Sequence, residues 1–325
     1  MADDGVDDVF VYLGGEQEVP RNVRHVVIDR SVKIIPESAF FERMKLVSVE
    51  THEGIELIEA GAFFECSSLR KIKLIGVREV EYEAFYSCDA LTEVEFSDKL
   101  ERIGKNAFDY CNSLQKIKMP SVRFIESGAF SDCEQLTEAE FGGNLERIDT
   151  YAFDTCPLLR RIAIPLKDDI LPLASYSSLC NQFGFCPNLT IVDLVGVEGI
   201  NKTISSLFLQ SWKDEMNHDM NCINQVLPHT TESAKTDTIR LWIGSLLGKM
   251  ERYKAEHYRL LKQATTLLEL AIWKAKIDEE VMAHSLETKP AKRAKLNDDS
   301  IRKEQRVTSG ASIVIKNVLP FLKLE

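Results

Sequence analysis

The pair Ala-Phe recurs six times, at Ala39-Phe40, Ala62-Phe63, Ala84-Phe85, Ala107-Phe108, Ala129-Phe130 and Ala152-Phe153, in steps of 23, 22, 23, 22 and 23 residues. A fixed period in the low twenties leaves few folds open. A unit this short cannot bury an apolar face alone, so it must stack on its neighbours as one coil of a solenoid. Coils of this kind carry binding surfaces rather than reactions.

Aligned on the pair, the coils share a template. Three residues after Phe stands Cys66, Cys88, Cys111, Cys133 or Cys156, and three further on Leu69, Leu91, Leu114, Leu136 or Leu159. An alternating run follows, as in Leu69-Ile72-Leu74 and Leu114-Ile117-Met119. That alternation predicts a short strand with every second side chain inward. After a turn come two more apolar positions, such as Leu100 and Ile103. The Ala-Phe-x-x-Cys stretch reads as a tight helical turn, with Ala small enough for coils to approach. The first full coil departs, with Arg43 in the Cys place. Val23-Val26-Ile28 continues the pattern upstream, and Phe183-Cys186-Leu189-Val192-Leu194 resumes it after a step of 30 residues from Phe153.

This pattern resembles the BspA-type leucine-rich repeats, over roughly residues 20–196. The resemblance implies an α/β solenoid, a right-handed leucine-rich repeat with one short parallel strand per 22–23-residue coil. It implies binding rather than catalysis and names no ligand. Members of the family include surface proteins of bacteria and protists and intracellular proteins of algae and protists.

The outward strand positions alternate in charge coil by coil: Arg24-His25, Glu50, Arg70-Lys71-Lys73, Glu93-Glu95, Lys116-Lys118, Glu138-Glu140, Arg160-Arg161, Asp193. The 22/23 alternation in length matches it, so the unit is two coils. Residues 91–111 and 136–156 agree at 13 of 21 positions. Parallel strands stack about 4.8 Å apart, which predicts a ladder of opposite charges across the strand face. The cysteines of the template lack the spacing of zinc ligands and read as small buried side chains, reduced in an intracellular setting.

Beyond residue 198 the beat stops. Ile204, Phe208, Trp212, Met216, Met220, Ile223 and Leu227 step at helical intervals and predict a helix that covers the open end of the solenoid. After the breaker Pro228–Ser233, a long helix is expected over about 235–284, with a seam through Ile239, Ile243, Leu246, Met250, Tyr253, His257, Leu260, Ala264, Leu267 and Ala271. The seam suits a hairpin with the first helix, or a partner helix or second copy through residues 239–271. Three regions are therefore expected: a solenoid over 1–198, a helical cap or hairpin over 199–286, and a tail over 287–325.

The tail holds Lys289-Pro290-Ala291-Lys292-Arg293-Ala294-Lys295-Leu296-Asn297-Asp298, which resembles a Myc-type nuclear-import signal. That resemblance implies that Lys292, Arg293 and Lys295 engage an import receptor and favours a nuclear over a cytoplasmic location. The last residues, 309–325, are apolar again and are expected to dock back on the helices.

The net charge of −11 argues against direct binding of nucleic acid or anionic membrane. The acidic start lacks the pattern of a secretory signal, and no apolar run nears the roughly 20 residues of a membrane helix. No phosphate loop, paired histidines or nucleophile elbow appears, so no catalytic, cofactor or metal residues are assigned. The expected function is non-enzymatic protein binding, as an adaptor or scaffold. Self-association through the long helix and an enzyme or enzyme subunit acting in the 165–180 insertion are the alternatives. The expected contact loop is that insertion, with Lys167, Asp168, Asp169 and Tyr176.

Overall fold

Each regular coil contributes two strands. The computed structural model describes residues 9–15, 17–173, 181–197 and 208–287. One line of strands follows the alternating runs: β1 (Val9–Tyr12), β2 (His25–Ile28), β4 (Ser48–Glu50), β6 (Lys71–Leu74), β8 (Glu93–Phe96), β10 (Lys116–Met119), β12 (Glu138–Phe141), β14 (Arg161–Pro165) and β15 (Ile191–Val195). A second line holds two-residue strands: β3 (Ile34–Ile35), β5 (Leu57–Ile58), β7 (Glu79–Val80), β9 (Arg102–Ile103), β11 (Phe124–Ile125) and β13 (Arg147–Ile148). All pairings are parallel. The solenoid expected from the repeat is therefore present, with a second strand line that replaces the single strand per coil. The short strands form one continuous sheet of six, whereas the long strands split into sheets of five and four between β8 and β10. β1 extends the stack one coil upstream of the legible pattern, and pairs with β2 in register Val9 to His25.

The Ala-Phe positions form the spine. Phe40, Phe63, Phe85, Phe108, Phe130, Phe153 and Phe183 are all buried and stack one on the next, with ring centroids 4.8 to 5.8 Å apart. Tyr12 closes the first end of the column, 5.1 Å from Phe40. The turn around each Phe is not helical. It is held by two left-handed residues, one before Ala and one two places after Phe, as in Glu83 (φ 52°) and Ser87 (φ 53°) around Phe85. That geometry points the Phe amide along the stack: Phe63 N–H donates to Ala84 O at 2.7 Å and Phe85 N–H to Ala107 O at 2.8 Å.

The cysteine ladder has its own hydrogen bonds. Cys66, Cys88, Cys111, Cys133, Cys156 and Cys186 each donate Sγ–H to the carbonyl of the Phe one coil earlier, over 3.0 to 3.3 Å. Arg43, in the Cys place of the first coil, does the same with its Nε–H on Val19 O at 2.9 Å. The position thus calls for a donor, which in the later coils is a small buried thiol. Burial pushes the Cys66 thiol up to about 12 and raises Cys88, Cys111, Cys133 and Cys156 above the ordinary thiol range. Thiolate chemistry is suppressed at such sites.

The chain divides into two compact units, Met1–Glu198 with Met216–Leu247, and Gly199–Glu215 with Gly248–Glu325. Parts of both helices, α1 (Leu209–Val226) and α2 (Lys235–Glu287), thus belong with the solenoid. The last coil has no following coil to satisfy its backbone, and helical side chains take that role. Thr236 Oγ1 accepts from Phe183 N–H at 3.2 Å, where the coils from Phe40 to Phe130 use the next Ala carbonyl and Phe153 uses Gln182 O. Asn224 Oδ1 accepts from Val192 N–H at 2.9 Å, in place of a further strand. The buried Lys235 Nζ donates to Pro187 O at 2.5 Å and Leu189 O at 2.7 Å. Ile223, Leu227, Ile239, Ile243 and Leu246 are buried in the same unit. In the second unit, Tyr253 packs on Phe208 and Trp212, both at 5.9 Å, and its hydroxyl donates to Glu215 Oε1 at 2.6 Å.

Candidate interaction surfaces

The strand face neutralises itself. From Lys71 onward, the basic rungs reach the acidic rungs that follow them: Lys71–Glu93 (2.6 Å), Lys73–Glu95 (3.0 Å), Lys116–Glu138 (2.8 Å), Lys118–Glu140 (2.9 Å) and Arg161–Asp193 (2.6 Å). The short-strand sheet repeats the device, with Arg102 between Glu79 (3.3 Å) and Glu126 (2.6 Å). Arg78–Glu101 and Arg123–Glu146 flank it at 3.4 and 2.7 Å. These pairs are largely exposed, so each contributes under about 1 kcal/mol. They leave neither face with a single sign for a polyanion or polycation.

The turn edge differs. Phe41, Phe64 and Tyr86 stack in a second, outer column at 4.9 Å spacing, and Tyr110 meets Tyr86 edge-on at 5.5 Å. Further along, Tyr110, Tyr151 and Phe185 occupy left-handed backbone positions (φ 59°, 61° and 49°) and stand 38% to 66% exposed. Gly61, Asn106 and Gly128 fill the place of Tyr151 in other coils, while the place of Tyr110 and Phe185 holds Glu42, Glu65, Ser87, Asp132 or Thr155. A bulky L-residue there costs about 1 kcal/mol relative to Gly, and an exposed ring returns little of it through burial.

The six-copy family model for the BspA type leucine rich repeat region matches residues 20–121 and 78–208. The chain belongs to this family. A leucine-rich repeat protein of T. pallidum is similar to it at 27% identity, over 50% of this chain and 77% of that one, with a TM-score of 0.44. A leucine-rich repeat protein of Bacteroides ovatus is similar at 24% identity, over 46% and 48% of the two chains, with a TM-score of 0.38. Comparison with curated proteins finds no match. The BspA-type repeat accounts for the coil template, and the residues that vary around it must set whatever this chain contacts.

Among those is an acidic group beside the aromatic column. Asp109 is buried, and its Oδ1 has no hydrogen-bond partner. Burial, then the charge of Asp132, pushes its carboxyl up to about 7. Burial also raises the neighbouring Asp154. An acid whose folded pKa lies above its unfolded value of about 4 contributes stability below that pH and loses it as pH rises through the folded value. Asp109→Asn is therefore expected to leave thermal stability at pH 4 unchanged. At pH 8 it should stabilise by on the order of 2 kcal/mol. Melting curves of both proteins across pH 4–8 check this, and parallel curves would refute it.

The insertion after Phe153 is anchored where it is described. Ile170 and Leu171 are buried. Ile170 O accepts from Ile148 N–H at 2.9 Å, Leu171 O from Arg240 Nε–H at 2.7 Å, and Pro172 O from Gln182 Nε2–H at 2.9 Å. Of the expected contact residues, Lys167 is half-buried and Asp168 and Asp169 are exposed. The two carboxylates converge with no metal-ligating group among the described residues. Tyr176, the basic run with Lys292, Arg293 and Lys295, and residues 309–325 lie outside the described residues. No helix among the described residues is long and apolar enough to cross a membrane.

Proposed function

We propose that this chain is a non-enzymatic protein-binding adaptor that meets its partner along the turn edge of the solenoid. One observation carries the reading: Tyr110, Tyr151 and Phe185 hold exposed rings on left-handed backbone where Gly or Asn costs less. Exposed aromatic side chains on a rigid scaffold are what protein interfaces favour. The self-paired strand faces support the same choice by offering a partner little net charge. The basic run around Lys292, Arg293 and Lys295 fits an adaptor delivered by an import receptor.

Changing Tyr110, Tyr151 and Phe185 together to Asn tests the reading. Thermal stability is expected to hold or rise, because the backbone strain falls. Capture of bound proteins by the immobilised chain is expected to fall away. An unchanged set of captured proteins, or a loss of stability that accounts for the change, would overturn it.

A further inference from the structure

The turn edge carries one sign of charge. Its six turns around the Ala-Phe pairs, residues 36–42, 59–65, 81–87, 104–110, 126–132 and 149–155, hold eleven carboxylates and one lysine. Among the described residues, ion pairs reach two of the eleven: Glu126 meets Arg102, and Asp149 meets Arg147. The strand faces, by contrast, pair their charges within the chain. The unopposed acids act on one another. Burial, and with it the charges of Glu59, Glu79 and Glu37, raises the Glu81 carboxyl. The charges of Asp132 and Asp109 raise the Tyr110 hydroxyl.

Asp109 marks where a donor is missing. It is 9% exposed and its Oδ1 has no hydrogen-bond partner. The charges that bear on it, Asp132, Glu83 and Asp154, share its sign, and Tyr86 and Tyr110 feel its own. Acids also follow the rings in sequence, as Phe41-Glu42, Phe64-Glu65 and Asp109-Tyr110.

Taking the adaptor reading above, with the turn edge as the contact surface, we infer that the occupant is an extended, arginine-rich segment of the partner protein. It lies along the Phe41, Phe64, Tyr86 and Tyr110 rings, with guanidinium groups between the rings and the carboxylates beside them. A guanidinium stacks flat on a ring and still pairs with an adjacent carboxylate, which an ammonium does less well. Five coil steps separate Phe41 from Asp154, about 25 Å, the length of about eight extended residues. The same charge repels a polyanion or an anionic surface.

A labelled peptide of alternating Arg and Ser, about 12 residues long, tests this on the full chain by fluorescence anisotropy. Binding is expected in the micromolar range at low salt and should weaken as salt rises. The matching Lys peptide should bind several-fold more weakly. Glu42→Gln, Glu65→Gln and Asp132→Asn together should cost about tenfold in affinity. Glu93→Gln, Glu95→Gln and Glu140→Gln remove the same charge from the strand face and should cost less than about twofold. A guanidinium beside Asp109 favours its charged form, so affinity should rise from pH 6 to pH 8, and Asp109→Asn should flatten that rise.

No binding at about 1 mM peptide, or equal losses from the two triple variants, would overturn the inference. So would a tenfold gain in affinity on changing Lys292, Arg293 and Lys295 to Gln, since the chain's own basic run would then be the occupant. The adaptor reading is judged separately. If the peptide fails while the Tyr110, Tyr151 and Phe185 variant still loses its captured proteins, the edge stands and the basic partner is rejected. Captured proteins that persist in that variant reject the edge itself, and this inference with it.

Discussion

Lys235→Met is expected to open the C-terminal end of the solenoid. The ammonium is buried between Pro187 O and Leu189 O, at 2.5 and 2.7 Å. Methionine keeps the stem volume and removes both donors, so two buried carbonyls lose their partner. Each such loss costs about 1–3 kcal/mol, offset in part because the lysine's own burial is costly. Burial already pulls the Lys235 pKa below the ordinary lysine value, a sign of that cost. The net expectation is a loss of about 2–3 kcal/mol. In a stack where each coil contacts only its neighbours, the loss should be local. Hydrogen exchange should quicken first in β15 and the Phe183 turn while β6 and β8 keep their protection. A urea midpoint equal to the parent's, with unchanged exchange at β15, would rule the cap out as the seat of this stability.

What the sequence made legible follows from periodicity. The six Ala-Phe pairs, the cysteines and the leucines are apolar residues in phase, and stacking leaves them one solution. The alternation of Lys71, Glu93, Lys116 and Glu138 was legible for the same reason, because register places equal template positions opposite each other. The second strand line was harder to see, since strands such as Ile34–Ile35 have a single inward residue and no alternation. β1 has no Ala-Phe pair ahead of it to mark its coil. Apart from Gly61 and Gly128, the left-handed positions hold residues such as Glu42, Glu65 and Glu83, so the usual glycine signal of such backbone is missing from most coils. The cap was legible as an amphipathic helix but not as chemistry. Lys235, Thr236 and Asn224 read as solvated polar residues, and their partners lie 32 to 53 residues away. The insertion looked free because it breaks the beat, yet Ile170 and Leu171 supply the apolar anchors and Arg240 and Gln182 hold its carbonyls. The turn edge escaped notice because exposed aromatics become informative only once the backbone angle beneath them is known.

Phe108→Ala is expected to be the most damaging single truncation in the spine. The ring is fully buried, stacked 4.9 Å from Phe85 and 5.3 Å from Phe130, with Phe96 edge-on at 5.7 Å. Truncating a buried Phe costs about 3–5 kcal/mol through lost transfer energy and the cavity left behind. The location should place this site at the upper end. Phe108 lies in the coil between β8 and β10, where the long-strand hydrogen bonds lapse. There the two halves of the solenoid are joined by the unbroken short-strand sheet and by the ring column. Phe63, by contrast, lies where β4, β6 and β8 run in one continuous sheet. Phe63→Ala should therefore cost less and leave a single cooperative transition. Phe108→Ala should lower the urea midpoint further and broaden or split the transition, as coupling between neighbouring coils weakens. Equal losses at the two positions with equally steep transitions would show that the interrupted strand ladder adds no weakness. In that case the column would act as a uniform stack, indifferent to the sheet beside it.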